Sequence, residues 1–397
     1  MVKRVLLFRP SMADGGADRV TLTVLRRLDR ARFAPSLALM RLEGPLLGEL
    51  PTDVEVHQVR APRLALAAPS LALLLRELAP DVLFSTSSTG NIVSSVAHLA
   101  ARSRARLVLS ERTPLFRAGA RDARHRAFAW AKQATYRRAD LVTAVAEGVA
   151  AQLCELGLPA AKVRVLDNPM IDDALHAQAA EPVEHPFFAA SAASARAVEP
   201  SAPSPSSHVG AGEPPAHGLE VPVIVACGRM VPLKDYPTLV RAFAEVRRAC
   251  PARLVILGDG PERAAIEAQV RAAGLERDVS LVGFDKNPFR YFSRAAVFLH
   301  ASRAEGMPGA QIQAMACGLP VVATDCEFGT REVVRDGKNG FLAPVGDASA
   351  LASRVTQLLR DEPLRLRLSS FARRSVERFE VSRAMRGYEA ALEPAGP

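Results

Sequence analysis

The residues best placed to do chemistry lie between Ser302 and Thr324. A short apolar segment leads there into a turn that contains Gly306, Pro308 and Gly309, and the turn leads into a short helix and a second buried strand. A helix that begins just after the carboxyl end of a strand presents unpaired backbone N–H groups and the positive end of its dipole. This stretch is therefore predicted to bind an anion such as the diphosphate of a nucleotide.

The length and composition indicate a two-domain globular protein. A chain of 397 residues is too long for one ordinary hydrophobic core. The net charge of +9 favours an anionic partner, a class that includes nucleic acid, acidic membrane surfaces and phosphorylated small molecules. No nucleic-acid-binding module is recognisable, so nucleic acid is not expected as a partner.

The cysteines and the apolar runs indicate the cellular compartment of the protein. Five cysteines are scattered without C-x-x-C pairing, which argues against a disulfide framework and favours a reducing compartment. The chain enters a strand-length apolar run at Val5–Phe8 rather than a signal peptide, and no stretch is long and apolar enough to cross a bilayer. We therefore expect a cytoplasmic protein.

Strand-like and helix-like segments alternate along most of the chain, which predicts βαβ units around parallel sheets and hence the α/β class. A segment rich in Ala, Ser, Pro and Gly interrupts the pattern and is predicted to be a flexible, disordered linker. The expected divisions are an N-terminal domain at 1–175, the linker at 181–220, a C-terminal domain at 221–380, and a helix at 381–397 that is free to cross back to the first domain.

Glycine pairs mark two further loops. Gly15 and Gly16 separate a strand from a helix and would let the backbone approach a ligand closely, although an ordinary strand-to-helix turn explains them equally well. Gly258 and Gly260 lack the third glycine of a dinucleotide-binding fingerprint, because Arg263 occupies its position. A nicotinamide site is therefore not expected.

The segment 116–138 combines basic residues with aromatic ones, including Trp130, the only tryptophan. A cationic helix of this kind can lie on an anionic membrane surface. Its basic and apolar positions do not separate into two faces, however, so an ordinary solvated helix remains the alternative.

Several motifs in sequence order resemble one known family. They are Gly228-Arg229-x4-Lys234, Glu305-Gly306-x-Pro308, Ala314-Met315-Ala316-Cys317-Gly318-x-Pro320, Gly329-x-Arg331-Glu332 and Asp336-Gly337-x-Asn339-Gly340. Together they resemble the retaining glycosyltransferases of family 4, and Ser110–Pro114 is similar to a variant in members that build surface polysaccharides or lipid-linked glycans. The resemblance implies the GT-B fold, in which two facing Rossmann-like domains, each a parallel sheet with helices on both faces, are joined by a linker.

The resemblance also implies roles for individual residues. Arg229 and Lys234 would stabilise the leaving diphosphate, and Glu305 would contact the hydroxyls of the donor sugar. Gln313 stands where the family has the second acid of its Glu-x7-Glu motif, which binds the ribose, and glutamine would do so without a charge. The donor-binding set is Gly15, Gly16, Gly228, Gly306, Met307, Pro308, Gly309 and Gln313, and the acceptor-side candidates are Ser110, Glu111 and Arg112.

No cofactor and no metal are expected, because the chain has no Asp-x-Asp and its eight histidines show no ligand spacing. His98 and His125 are interpreted as structural or surface residues. The resemblance implies a donor carrying UDP, with GDP as the alternative.

The leading hypothesis is a retaining, metal-independent glycosyltransferase of polysaccharide or lipopolysaccharide biosynthesis. It would use a nucleotide-diphosphate sugar and a lipid-linked or oligosaccharide acceptor at the cytoplasmic face of the inner membrane. Two alternatives remain: a sugar-nucleotide epimerase of the same shape, and a nucleotide-sugar-binding protein whose turnover is weakened because Gln313 replaces the second acid.

Overall fold

The computed structural model describes residues 2–13, 15–113, 115, 123–189 and 221–393, and for 123–126 it describes the backbone only. Most of the predicted linker, from residue 190 on, and the first part of the segment 116–138 lie outside the described residues. The chain divides into two compact units, Met1–Met170 with Arg378–Pro397, and Ile171–Glu377.

The first unit is built on a seven-stranded parallel sheet with the strand order β3-β2-β1-β4-β5-β6-β7. Its strands are β1 (Lys3–Arg9), β2 (Phe33–Leu39), β3 (Glu55–Gln58), β4 (Val82–Ser85), β5 (Arg106–Glu111), β6 (Leu141–Ala144) and β7 (Val163–Val165). Its helices up to this point are α1 (Gly16–Arg27), α2 (Ala68–Leu78), α3 (Ser88–Ala101), α4 (Ala123–Tyr136) and α5 (Glu147–Glu155). The central strands are continuous apolar runs, as parallel strands covered on both faces require.

The second unit contains a six-stranded parallel sheet with the order β10-β9-β8-β11-β12-β13. The strands are β8 (Val223–Cys227), β9 (Arg253–Leu257), β10 (Val279–Gly283), β11 (Val297–His300), β12 (Val321–Thr324) and β13 (Gly340–Ala343). The helices are α6 (Ala174–Ala180), α7 (Tyr236–Ala249), α8 (Arg263–Ala272), α9 (Phe289–Phe292), α10 (Gly309–Ala316), α11 (Gly329–Val333), α12 (Ala348–Arg360) and α13 (Glu362–Ser375).

The last helix, α14 (Val381–Leu392), belongs to the first unit. It packs against α1 and β5, and the ring of Tyr388 meets Phe84 of β4 edge-on, with 6.1 Å between the ring centroids. Tyr388 is 2% exposed, so this helix forms part of the hydrophobic core of the first unit.

Each sheet has one point at which the strand order reverses. In the first unit β2 lies on one side of β1 and β4 lies on the other side. In the second unit β9 lies on one side of β8 and β11 lies on the other side. In open parallel sheets, ligands bind outside the carboxyl ends of the strands at such a switch point. The loops after β8 and β11 therefore meet where the sequence predicts the site.

Gly258 and Gly260 support the loop after β8 rather than forming a site of their own. A Cβ atom on Gly258, whose φ is +121°, would lie 2.2 Å from the carbonyl oxygen of Gly228. The backbone N–H of Met230 donates to the Asp259 carbonyl at 2.8 Å, and that of Glu262 donates to the Met230 carbonyl at 3.1 Å. The glycines thus permit a close backbone approach that fixes this loop.

We predict that Gly258→Ala lowers the free energy of unfolding of the second unit by roughly 2 kcal/mol or more, because the new methyl group meets backbone and the backbone conformation is unfavourable for alanine. Urea unfolding is the measurement. The matched control is Gly274→Ala, which shares a left-handed backbone (φ +66°) but has open space around its Cβ position and should cost only about 1 kcal/mol. Equal losses of unfolding free energy in the two variants would show that the close approach of Gly258 to Gly228 does not contribute to stability.

Candidate active site

An ion pair between Lys234 and Glu305 lies at the centre of the candidate site. Lys234 follows β8 and Glu305 follows β11, and Lys234 Nζ is 2.6 Å from Glu305 Oε1. The two side chains are 22% and 10% exposed. Since β8 and β11 flank the switch point of the sheet, the fold itself brings together two residues that are 71 positions apart.

The Glu305 carboxylate receives two further hydrogen bonds. His300 Nε2 lies 3.0 Å and Ser302 Oγ 2.7 Å from Glu305 Oε1. His300 is the last residue of β11, is 5% exposed, and stacks on Phe298 with 6.2 Å between ring centroids. Within the described residues every hydrogen bond to this carboxylate reaches Oε1, so Oε2 is open to a ligand.

The charges of the site follow from burial and pairing. Burial alone would raise the pKa of Glu305, but the ammonium of Lys234 and the hydrogen bond from His300 outweigh it, and the pKa lies well below its usual range. Burial lowers the pKa of His300, against the opposing effect of Glu305. At neutral pH the site therefore holds an ionised carboxylate and a neutral imidazole, which must carry its proton on Nε2 to donate to Glu305.

Asp235 and Arg303 link the loops that follow β8 and β11. Arg303 Nε is 3.0 Å from Asp235 Oδ2, and the backbone N–H of Arg303 donates to the Leu233 carbonyl at 2.9 Å. Asp235 has a φ of +47° and caps α7 by accepting the N–H of Thr238. Lys234 is thereby held in one place between two fixed neighbours.

Gly228 and Arg229 begin the loop that ends at Lys234. The hydroxyl of Tyr236 donates to the Gly228 carbonyl at 2.8 Å, and a Cβ on Gly228 would lie 3.5 Å from Lys234 Cε. The Arg229 side chain is exposed, and among the described residues it has no hydrogen-bond or ion-pair partner. The loop thus offers one fixed cation and one adjustable cation.

The turn Gly306–Gly309 lies against the residues that precede α11. Phe328 forms a parallel bridge with Glu305, and a Cβ on Gly329 would lie 2.4 Å from the Gly306 carbonyl oxygen. Pro308 is buried and α10 begins at the next residue, so the N–H groups of Met307 and of the first turn of α10 follow directly on Glu305. These groups have no acceptor within the helix, as at every helix start.

Two glutamines lie on α10. Gln313 is half-buried and has partners, whereas Gln311 is fully buried, and neither of its amide atoms hydrogen-bonds to a described residue. An unpaired buried amide costs free energy, and the sequence pattern gave no sign that this position is buried and polar.

The predicted glycine-rich loop lies in the first unit. The N–H of Gly15 donates to Asp18 Oδ2 at 3.1 Å, and α1 begins at Gly16. Asp18 in turn pairs with Arg9, at the end of β1, and Arg9 Nη1 also donates to the Thr86 carbonyl after β4 at 3.1 Å. A buried ion pair thus fixes the loop at the switch point of the first sheet.

Of the predicted acceptor-side residues, Ser110 and Glu111 are buried. The Glu111 carboxylate accepts from Lys132 at 2.9 Å and from Tyr136 at 2.8 Å, both on α4, and also from Ser88. Burial, followed by the charge of Glu111, raises the pKa of Tyr136.

Arg112 is half-buried and donates to Asn168 at 2.8 Å and to the Tyr388 hydroxyl at 3.1 Å.

The structure brings Lys234, Glu305 and the Gly306 turn together in the second unit. Gly15, Gly16 and the residues 110–112 lie in the first unit.

Sequence reasoning missed His300, Ser302 and Lys132. The first two lie within five residues of Glu305, so their polar character beside a predicted strand end was the available signal. Lys132 is one of the basic residues of 116–138, a segment that the sequence predicts to lie on a membrane or to be a solvated helix, but it is 3% exposed and faces Glu111. On the same helix Trp130 is 70% exposed.

In the described part of the chain, no group of His, Cys, Asp or Glu side chains is arranged to hold a metal ion. The described helices include none with the length and apolar character needed to cross a membrane.

Comparison with known proteins identifies the family and the fold of the chain. The family model for glycosyl transferases group 1 matches residues 221–361, and that for Glycosyltransferase Family 4 matches residues 14–173. The chain belongs to the glycosyltransferases that these two family models describe. Its fold is GT-B: it matches the crystal structure of Anabaena HepE in complex with UDP and glucose with a TM-score of 0.76 and 20% identity, covering 98% of this chain and 99% of the other.

Two curated relatives match part of the chain. The N-acetylgalactosamine-N,N'-diacetylbacillosaminyl-diphospho-undecaprenol 4-alpha-N-acetylgalactosaminyltransferase of Campylobacter jejuni is 32% identical over 157 residues, which are 40% of this chain and 42% of that protein. The N-acetyl-alpha-D-glucosaminyl L-malate synthase of Bacillus anthracis is 33% identical over 158 residues, or 40% and 41% of the two chains. The match thus spans less than half the length of each relative.

We predict that His300 makes the stability of this glycosyltransferase fall at acidic pH. The pKa of His300 is lowered in the folded state, so below its unfolded value of about 6.5 the unfolded state binds more protons, and unfolding becomes easier by up to about 1.4 kcal/mol per pH unit. The stability that this histidine contributes is therefore complete above pH 6.5. Glu305 stays ionised throughout this range, because its folded pKa is lowered too.

The measurement is urea unfolding between pH 7.5 and 5.5, comparing the parent protein with His300→Gln. Glutamine keeps an N–H donor and cannot titrate, so the variant should lose less stability on acidification. Parallel pH curves for the two proteins would contradict the prediction.

Proposed function

We propose that the protein is a retaining, metal-independent glycosyltransferase that moves a sugar from a nucleotide-diphosphate donor to a glycan or lipid-linked acceptor. The observation that carries this proposal is the Lys234–Glu305 pair at the switch point, with the open Oε2 atom of Glu305 and the exposed Arg229 beside it. The site thus offers an acceptor for sugar hydroxyls and cations for a diphosphate.

Lys234 and Arg229 stabilise the negative charge that develops on the leaving diphosphate. The ammonium of Lys234 has three protons and uses one on Glu305, so it can also donate to phosphate oxygens. Glu305 orients the donor sugar by accepting a hydroxyl proton at Oε2. The N–H groups of Met307 and of the first turn of α10 add donors for the phosphates.

Transfer proceeds with retention by attack on the face that the diphosphate leaves. The acceptor oxygen bonds to the anomeric carbon as the bond to the diphosphate oxygen breaks, and the acceptor's proton passes to the leaving diphosphate. This mechanism is the one that the family resemblance implies.

The donor carries UDP, with GDP as the alternative. The bound UDP and glucose of HepE, a protein of the same fold, support a UDP sugar. Gln313 would hydrogen-bond the ribose hydroxyls without a charge, and Gly15 and Gly16 in the first unit would allow a close backbone approach to the donor.

The acceptor is an oligosaccharide or a lipid-linked glycan. The diphospho-undecaprenol in the name of the Campylobacter relative supports a lipid-linked acceptor at the cytoplasmic face of the inner membrane. The end of β5 at Ser110 and Glu111, together with Arg112 directly after it, would form the acceptor side. The exposed Trp130 supports a peripheral membrane contact through 116–138, to which the inward-facing Lys132 does not contribute.

We predict that Arg229→Ala and Glu305→Gln each lower kcat/KM for sugar transfer by roughly 100- to 1,000-fold, because each removes a group aimed at the reacting donor. The assay measures glycosylated acceptor and released nucleoside diphosphate from a panel of UDP and GDP sugars. Arg271→Ala, an exposed arginine on α8, is the control and should leave the rate unchanged. Wild-type rates in both site variants would rule out this site.

The same assay separates the alternatives. An epimerase would give a product that still contains the nucleotide. A binding protein would take up the nucleotide sugar and transfer it to no acceptor, which is the outcome that Gln313 would favour.

We further predict that Gln313→Glu tightens UDP binding by roughly 3- to 10-fold, because a charged acceptor strengthens hydrogen bonds from the ribose hydroxyls. Calorimetric titration with UDP measures the change. Gln357→Glu adds the same charge on the exposed surface of α12 and serves as control. Unchanged or weaker binding in Gln313→Glu would place the ribose elsewhere.

A further inference from the structure

Three cations lie at the carboxyl edge of the first sheet, and only two of them have a carboxylate partner among the described residues. Arg9 pairs with Asp18, and Lys132 pairs with Glu111 at 2.9 Å. Arg112, which directly follows β5, donates through Nη2 to two neutral groups, the Asn168 amide oxygen and the Tyr388 hydroxyl. Among the described residues, the charge of this half-buried guanidinium is therefore uncompensated.

The two neutral partners hold Arg112 in a defined orientation. Tyr388 OH also donates to Asn168 Oδ1 at 3.3 Å, which closes a triangle of hydrogen bonds, and Tyr388 is buried against Phe84. The triangle occupies a single nitrogen of the guanidinium. In the part of the chain that the structure describes, Arg112 Nε and Nη1 have no hydrogen-bond partner.

Arg9 lies close enough to Arg112 for their like charges to interact. Burial lowers the pKa of Arg9, the charge of Asp18 opposes this, and the charge of Arg112 lowers it further. The Arg9 Nε atom is also buried without a hydrogen-bond partner among the described residues. Because β1, β4 and β5 are consecutive in the sheet, these groups lie along the edge at which ligands of parallel sheets bind.

We propose that Arg112 binds a phosphate group of the acceptor, a subsite that selects phosphorylated acceptors over neutral ones. This rests on the proposed function in so far as it names the acceptor as the source of the phosphate. A guanidinium suits a phosphate because its planar N–H groups match two phosphate oxygens. Since the triangle with Asn168 and Tyr388 orients it beforehand, little ordering accompanies binding.

The first experiment measures binding without turnover. Geranyl diphosphate and geraniol, which differ only in the diphosphate, are titrated into the full-length chain carrying Arg229→Ala and Lys234→Ala, so that the cations of the second unit do not contribute. We expect geranyl diphosphate to bind more tightly than geraniol, and Arg112→Gln in this background to weaken it by roughly 10- to 100-fold while geraniol is unaffected. Equal affinities with and without Arg112→Gln would overturn the proposal.

Arg112→Lys is the control for a purely structural effect of the substitution. Lysine keeps the charge and loses the planar geometry, so it should restore part of the preference for the diphosphate, with an affinity between those of arginine and glutamine. If Arg112→Gln and Arg112→Lys weaken geraniol and geranyl diphosphate alike, Arg112 acts only on the fold, and the proposal is wrong.

The second experiment separates the acceptor from other sources of phosphate. Transfer to a glycan linked to geraniol through a diphosphate is compared with transfer to the same glycan on geraniol itself, with and without inorganic phosphate and phosphatidylglycerol vesicles. We expect Arg112→Gln to raise KM for the phosphorylated acceptor alone and to leave kcat and the affinity for UDP unchanged.

Other outcomes have separate meanings. Equal KM values for the two acceptors in the parent protein, or an effect of Arg112 that appears only with phosphatidylglycerol vesicles, would overturn the acceptor assignment. Arg112-dependent binding of geranyl diphosphate by a protein that transfers no sugar would instead contradict the proposed function and leave the phosphate subsite standing.

Discussion

The ion pair of Lys234 with Glu305 imposes the strongest constraint on the second unit. Removing two charges from water is unfavourable, and their mutual attraction compensates only where the geometry is good and the remaining polar atoms are satisfied. His300 and Ser302 meet that requirement at Oε1, and the loops that carry the pair are fixed by Asp235, Arg303 and the close approach at Gly258. The surrounding hydrogen bonds therefore serve one purpose, which is to keep a carboxylate and an ammonium together at the end of two strands.

The first unit also has an ion pair at the switch point of its sheet. Arg9, at the end of β1, reaches across to the Thr86 carbonyl after β4 and pairs with Asp18 at the start of α1. Both sheets thus place an ion pair, buried in the first unit and partly buried in the second, at the point where their strand order reverses and two loops must be held side by side. Arg112 departs from this pattern, because its described partners are neutral.

Local signals in the sequence were sufficient to predict the sheets. Apolar strands and the helix-breaking residues Gly306, Pro308 and Gly309 are properties of short segments, and they predicted an anion-binding stretch between Ser302 and Thr324, whereas the role of Glu305 came from the family resemblance. The burial of Glu111 was not predictable in this way, because its partners Lys132 and Tyr136 lie 21 and 25 positions further on, in a helix whose polar and apolar residues form no clean faces. Only the packing of α4 on the sheet decides that Lys132 faces inward while Trp130 faces outward.

The backbone next to Glu305 is itself strained. Phe328, which bridges to Glu305, has a φ of +74° and a ψ of −128°, a conformation that costs a residue with a side chain roughly 1–3 kcal/mol. Gly329, the next residue, lies so close to the Gly306 carbonyl that no side chain fits there. The strain and the tight contact both fix the segment Glu305–Met307. Because Glu305 is held by its backbone as well as by its hydrogen bonds, an incoming ligand meets a carboxylate whose position is already set, and Arg229, exposed on its loop, is the charge that can adjust to it.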